Sequence, residues 1–503
     1  MSVPPLRRLS ACFFFAAAGF ASQGAGVALI AQEPLGDRLP VREIVLDNGM
    51  TVLVLPREGA PTVSFAVRFG VGSVHEHLGT TGIAHLLEHM LFKGTTSIGT
   101  RDIEAERILF GLMDAVHDTL LAARAAGEVE RMAELEARIE ALEDSARTFV
   151  VPNELDRIFT EAGARGLNAT TSSEATTYFV ELPTNRAELW FALEADRMSH
   201  PVFREFYSER DVVIEERRMR VETAAAGLLY EEHLAAAFTM HPYGVPVVGY
   251  MSDLQTLSRR DVESYYRRFY GPDNAVVAIV GDVDPDRIEA WARQYFGAIP
   301  RGEVPAPVLA VEPPQRGERR ITVEWDSAPR LRIGWHVPSG LHSDAFAISM
   351  LASVLTGGRT SRLHRRLVID ERLATDVYAS TGPGTLFPQL FQIDAVPRDG
   401  QSLERIEDAI YEEITRLVAT GPDARELERV RNQVAAGSVR RLTSNLGLAF
   451  QIADSRALLG DWRETFRQAD RLAAVTAEDV RWVAAEYLIQ SNRTVAVLKR
   501  PEK

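Results

Sequence analysis

Two distant stretches of this chain end in the same way, and that repetition limits the fold more than any other feature. The first reads RRDVESYYRRFYGPDNAVVAIVGDVD and the second TAEDVRWVAAEYLIQSNRTVAVL. Asp261 matches Asp479, Val262 matches Val480, Phe269 matches Tyr487, Asn274 matches Asn492, Val277 matches Val495 and Ile279 matches Val497. Each pair has the same offset (492 − 274 = 218). In both stretches a helix with one apolar face leads through an asparagine turn into an apolar strand. One constant offset for a helix-turn-strand unit points to internal duplication. Strand-like alternation precedes each ending, as REIVLDNGMTVLVLP and TVSFAVRFGVG in one half and RRITVEWDSAPRLRIGWHVP in the other. The predicted fold is therefore α+β, with two homologous domains, each a mixed, mostly antiparallel sheet packed by helices. The domains span residues 41–300 and 318–499, joined by a proline-rich linker over 301–317.

An insertion interrupts the first half over residues 106–150. Ile108, Leu112, Ala115, Thr119 and Ala122 are spaced 4-3-4-3, and after a turn near Gly127, Met132, Leu135, Ile139, Leu142 and Ala146 continue 3-4-3-4. This pattern predicts an antiparallel helical hairpin whose seam is formed by those residues, acting as a spacer or as a docking arm.

The ends and the composition bound the partners. Arg7 and Arg8 precede a short apolar run over 11–21 (ACFFFAAAGFA), and small residues follow, with cleavage after Ala21, Ala25 or Ala31. Residues 1–31 are read as a secretory signal, so the mature chain is expected in the periplasm of a Gram-negative-type bacterium or outside the cell. The single cysteine, Cys12, falls within that segment, so a mature chain has neither disulfides nor thiolate ligands. A metal would then sit on nitrogen and oxygen. No run of about twenty apolar residues predicts an integral membrane domain after signal removal. A net charge of −14 without a basic tract argues against nucleic acid. The basic residues are almost all arginine, with lysine only at Lys93, Lys499 and Lys503.

The strongest chemical signal is His85-Leu86-Leu87-Glu88-His89. On a helix, His85 and His89 lie one turn apart on one side and can share a Zn²⁺, with Glu88 beside them as a carboxylate able to take a proton from water. Two imidazoles leave zinc short of ligands. Glu209-Arg210-Asp211-Val212-Val213-Ile214-Glu215-Glu216 is a second helical pattern, on which Glu209 and Glu216 are seven apart and share a face. One could ligate while the other supports it. His75 and His77, in a glycine-bounded loop, are read as surface or rim residues.

HLLEH followed by a distant glutamate-bearing helix resembles the inverted-motif zinc peptidases of the pitrilysin, insulinase and mitochondrial-processing-peptidase group. LDNGMTVLVLP, GIAHLLEHMLFKGT, LNATTSSEATTYFVELP and ERDVVIEE carry the resemblance, which spans nearly the whole mature chain. It implies two similar domains facing each other across a cavity and one zinc per chain on His85, His89 and Glu216. Glu88 becomes the general base and Glu209 the supporting acid. Glu216 is preferred to Glu215 for its seven-residue step from Glu209. The resemblance further implies that the segment over residues 168–177, which contains Asn168, Ala169 and Thr170, is an edge strand that pairs with an extended peptide substrate.

Two departures from the family pattern bear on function. His89 and Glu216 lie farther apart than is usual (216 − 89 = 127), and the hairpin accounts for the excess. The family's arginine and tyrosine, seven residues apart in the second domain, fall here on Val368 and Thr375. Arg366 and Tyr378 lie nearby at the wrong spacing. The expected function is a secreted zinc-dependent endopeptidase acting on peptides or unfolded segments. It would work as a homodimer, or as a heterodimer with a related, Arg/Tyr-bearing subunit. The competing expectation is a non-catalytic peptide-binding or assembly subunit of the same fold.

Overall fold

The computed structural model describes residue 36, residues 39–302 and residues 306–501; the expected signal over 1–31 lies outside them. The first sheet contains β1 (Arg42–Val45), β2 (Thr51–Pro56), β3 (Thr62–Phe69), β4 (Arg165–Thr171), β5 (Thr176–Pro183) and β6 (Ala275–Gly281), in the order β1-β2-β6-β3-β5-β4. The second contains β7 (Arg319–Glu324), β8 (Arg330–Val337), β9 (Ala374–Gly382), β10 (Gln389–Pro397) and β11 (Arg493–Lys499), in the order β7-β11-β8-β10-β9. The helices that shape the site and join the halves are α1 (Ile83–Met90), α2 (Ile103–Ala126), α3 (Val129–Arg147), α4 (Phe206–Arg217), α5 (Ala225–Ala237), α6 (Arg259–Phe269), α7 (Asn445–Leu459) and α8 (Ala477–Tyr487).

Apart from β1, the two sheets follow one plan. The central strand β6 runs parallel to β2 and antiparallel to β3, and β11 runs parallel to β7 and antiparallel to β8. Even the local chemistry repeats. Ser258 and Asp261 form a capping box that starts α6, and Thr476 and Asp479 form the equivalent box on α8. Asn274 Nδ2 donates to the Phe269 carbonyl at 2.8 Å, and Asn492 Nδ2 donates to that of Tyr487 at 2.9 Å. The asparagines thus close the last helical turn in both halves and turn the chain into the central strand.

The halves are locked by exchanged helices. From the second half, α7 lays Leu448, Ala449, Ile452 and Ala453 on Leu53, Leu55, Ala66, Ala278 and Val280 of the first sheet. From the first half, α5 places Leu229 against Ala496 and Leu498 of the second sheet. His233 on α5 sits so close to β8 that a Cβ on Gly334 would lie 2.6 Å from the imidazole. Glycine is required there for close approach. The linker also adheres to the first half: Glu312 accepts from the backbone N–H groups of Thr239, Met240 and His241.

The hairpin forms, but its first helix presents a different face from the one expected. On α3, Leu135, Ile139, Leu142 and Ala146 are buried. On α2, Ile108, Leu112, Ala115, Thr119 and Ala122 are all exposed, and the buried face is Phe110, Met113, His117, Leu120 and Ala123. The cause is tertiary. Asp114 pairs with Arg259, His117 Nε2 bonds the Thr256 carbonyl, and Glu106 pairs with Arg204, so polar residues occupy the inner face. The hairpin lies against its own domain instead of standing clear of it.

Candidate metal centre

Two short helices carry the site, and neither caps its own start with a side chain. α1 begins after Gly82, which is in the left-handed region (φ 87°), and α4 after Glu205, also left-handed (φ 55°). Each instead borrows a glutamate from outside the helix. Glu76 accepts from the N–H groups of Gly82 (2.8 Å) and Ala84 (2.9 Å), and Glu143 accepts from those of Tyr207 (3.0 Å) and Ser208 (3.2 Å). Backbone donors that a helix start leaves unpaired are thereby satisfied. α1 buries Ile83, Ala84, Leu86, Leu87 and Met90, which leaves Glu88 and His89 half-buried at the opening and His85 beneath them.

The structure brings His85, His89 and Glu216 together. His85 Nε2 lies 3.5 Å from Glu216 Oε1, and His89 Nε2 lies 3.5 Å from Glu216 Oε2. One ligand atom from each of the three falls within 4.8 Å of the other two. Burial, with His89 and Arg220 nearby, pushes His85 down to about 3, so its imidazole is neutral. A neutral nitrogen and a carboxylate oxygen therefore converge at a distance too long for a hydrogen bond. Bonds of about 2.0–2.2 Å in tetrahedral array place two ligand atoms roughly 3.3–3.6 Å apart, so the donor set fits one Zn²⁺. Glu215, the neighbour not chosen, is exposed and pairs with Arg218.

Around these three lies a polar frame. His89 Nδ1 bonds Glu209 Oε1 at 2.9 Å, while Lys93 Nζ reaches Glu209 Oε2 at 2.6 Å and Glu205 at 3.4 Å. Burial alone would raise the Glu209 carboxyl, but hydrogen bonds from His89 and Lys93 bring it down to about 2. Burial would likewise lower His89, yet the Glu209 bond and the charges of Glu209, Glu216 and Glu88 raise it. Glu88 is raised, chiefly by burial, against the pull of the Thr171 hydroxyl, which donates to its Oε2 at 2.5 Å. Arg220 Nη1 lies 2.6 Å from Glu216 Oε1.

Asn168, Ala169 and Thr170 lie on β4, the last strand of the first sheet, paired on one side by β5. The expected strand over 168–177 is not one strand, however: the chain turns at 172–175, and Thr176 and Thr177 belong to β5. The Ala169 N–H is met by the Asn168 Oδ1 at 2.9 Å, so the adjacent side chain covers a backbone donor on this edge. β4 continues into Thr171 and thus into contact with Glu88. The expected rim histidines separate. His77 is exposed, whereas His75 is half-buried against Phe269 (5.4 Å between ring centroids), with the Gly72 N–H donating to its Nδ1. His75 is a partly buried packing residue that lines a pocket with Gly70 and Asn274.

In the second half, Val368 packs into the apolar core and Thr375 donates its hydroxyl to the Val396 carbonyl. Arg366 is drawn inward by Glu371, Glu412 and the Ala409 carbonyl, and Tyr378 is 59% exposed on β9. Lys93, Glu205, Thr171, Glu76, Arg220 and Glu143 were not singled out as site residues from the sequence. Lys93 had a signal, as an internal lysine in a chain whose other 53 basic side chains apart from two near the end are arginine (56 − 3 = 53). Arg220 lies one turn after Glu216, a local spacing that could have found it, while Glu205, Thr171, Glu76 and Glu143 are placed by tertiary contacts that no local pattern announces.

Comparison with known proteins agrees with this architecture. The family described as Insulinase (Peptidase family M16) matches residues 51–113 and 145–250, and that described as Peptidase M16 inactive domain matches 256–434. The zinc protease PqqE of Helicobacter pylori is 27% identical over 472 residues, covering 92% of this chain and 93% of that protein. The crystal structure of a protease from Helicobacter pylori superposes with a TM-score of 0.78 at 24% identity, over 92% of this chain and all (100%) of that one. A peptidase M16 inactive domain from Pseudomonas fluorescens superposes with a TM-score of 0.74 at 17% identity, over 92% and 99% of the two chains. With both halves of the duplicated fold matched in order, this chain belongs to the insulinase group of peptidases, family M16.

Proposed function

We propose that this chain is a zinc-dependent endopeptidase, exported by way of residues 1–31, that hydrolyses peptides or unfolded protein segments. The observation that carries the reading is the convergence of His85 Nε2, His89 Nε2 and the Glu216 carboxylate, with Glu88 on the same helix turn. His85, His89 and Glu216 would hold the ion. Zinc bound there supplies Lewis-acid polarisation of a carbonyl and lowers the pKa of water.

The remaining chemistry belongs to the chain. Glu88 accepts the proton of the attacking water and returns it to the leaving amine. Burial raises its carboxyl, which makes the carboxylate a better proton acceptor. Thr171 holds Glu88 Oε2, which fixes the carboxylate plane and ties the base to the substrate strand. Glu209 orients His89 through Nδ1 and increases its basicity. The β4 edge receives the substrate backbone in extended form at Asn168–Thr170.

The absence of an arginine and a tyrosine at Val368 and Thr375 supports pairing with a second, related subunit that supplies them. The same observation favours the other reading, a peptide-binding or assembly subunit. Zinc content and hydrolysis of an unfolded protein by Glu88→Gln separate the readings. An enzyme keeps about one zinc and loses at least about a hundredfold in rate with this substitution, in line with loss of a general base. A rate unchanged in Glu88→Gln rejects the assigned base, and wild-type protein free of zinc rejects the hydrolytic reading.

A further inference from the structure

We propose that Glu143, on the inserted hairpin, is a positioning residue of the metal site, acting as an external cap on the helix that presents Glu209 and Glu216. The inference rests on the metal reading above and adds to it a residue from outside the family pattern: the Insulinase match stops at 113 and resumes at 145.

Glu143 caps two of the first N–H groups of α4. Glu143 is buried on α3 (6% exposed). Its Oε1 accepts from the Tyr207 and Ser208 N–H groups, and its Oε2 accepts from the Ser208 hydroxyl at 2.7 Å. Arg147, one turn later on α3, donates to the same Ser208 Oγ at 2.7 Å. α4 has no alternative, since Glu205 at its start makes no cap bond and is held instead by Lys93. A carboxylate at a helix start also faces the positive end of the helix dipole.

The connection to the metal is short. Glu209 directly follows Ser208 and holds His89 Nδ1, while Glu216 is two turns further along the same rigid helix. If the first turn of α4 frays, Glu209 is freed first and His89 loses its fixed ring orientation. Glu106 on α2 acts on the same entry from the other hairpin helix. It pairs with Arg204, whose guanidinium also reaches the carbonyls of Lys93, Thr95 and Ile98 just after α1. The hairpin thereby sets the start of α4 relative to the end of α1, the two helices between which the ion would lie.

The test compares full-length wild-type, Glu143→Ala, Glu143→Gln and Glu140→Ala, the last an exposed glutamate one turn earlier on α3. Zinc affinity is measured by chelator competition, cobalt-substituted protein by its visible absorption, and α4 amides by hydrogen exchange. Glu143→Ala is expected to weaken zinc about tenfold, the scale of lost support behind a metal ligand. It should also shift the cobalt bands and speed exchange at Tyr207–Glu209. Glu143→Gln, which keeps one acceptor oxygen, should recover part of each change, and Glu140→Ala should match wild-type. Should Glu143→Ala not fold, Ser208→Ala removes the hydroxyl's bonds to Glu143 and Arg147, leaves both backbone bonds to Glu143, and should weaken zinc about threefold, a fraction of the same effect. Wild-type-like affinity and cobalt bands in the folded Glu143 variants, or in Ser208→Ala, overturn the assignment. A wild-type chain that takes up no zinc overturns the metal reading itself.

Discussion

Lys93 illustrates how individual side chains set this site. Its ammonium is a compact charge between Glu205 and Glu209, and a guanidinium in that half-buried space would demand a planar, bidentate arrangement that two separate carboxylates do not offer. Lys93→Ala should raise the Glu209 carboxyl from about 2, loosen its hold on His89 and weaken zinc about tenfold. Lys93→Arg should restore this only in part, as chelator competition will show. Glu76 yields a pH prediction. Burial raises its carboxyl from the ordinary 4.5 to about 8, outweighing the two backbone N–H groups it accepts from. Between those values the folded chain holds more protons than the unfolded one, so this group makes stability fall as pH rises from about 4.5 to 8. Thermal melts should show wild-type losing stability across that window and Glu76→Gln, which cannot titrate, lacking that part of the slope. The grouping of His85, Glu88 and His89 was legible because their spacing is itself the chemistry, whereas Glu216 came from the family resemblance, the seven-residue step from Glu209 only favouring it over Glu215. Glu76 and Glu143 were not legible, because an external cap is set by where the chain folds back.

At the level of elements, the proposed roles are substrate binding for β4 and support of the site for the hairpin. Ala169→Pro removes the backbone donor that Asn168 now covers, and should raise KM about tenfold while zinc content stays at wild-type, the cost of about one backbone hydrogen bond. Equal KM values would remove β4 from substrate recognition. The hairpin was legible as a hairpin, and α3 as to its buried face. The register of α2 was not, because two apolar stripes compete on it. Ile108, Leu112 and Ala115 look like the seam by composition, but Asp114, His117 and Glu106 are drawn inside by Arg259, the Thr256 carbonyl and Arg204. An inner face built on such partners cannot be distinguished from a solvated one by periodicity.

In the whole molecule, the 218-residue repeat announced two equivalent sheets, and the capping boxes and asparagine turns recur at that spacing (476 − 258 = 218). The exchange of α5 and α7 left no such mark, since an amphipathic helix has the same pattern whichever sheet it covers. It predicts that the halves melt together. Ala449→Glu would bury a charge against Leu53 and Val280, at a cost of about 3–5 kcal/mol, and should lower a single shared transition. Calorimetry showing the second half melting unchanged would contradict this.

That exchange also dictates an order of assembly. Strand β2 is made early, yet the residues that shelter its outer face, Leu448 to Ala453, arrive close to four hundred positions later (448 − 53 = 395). Synthesis from the amino end therefore releases a half-sheltered sheet that must wait for the carboxyl end. A fragment stopping near residue 300 leaves Leu53, Leu55, Ala66, Ala278 and Val280 uncovered, an apolar patch prone to association.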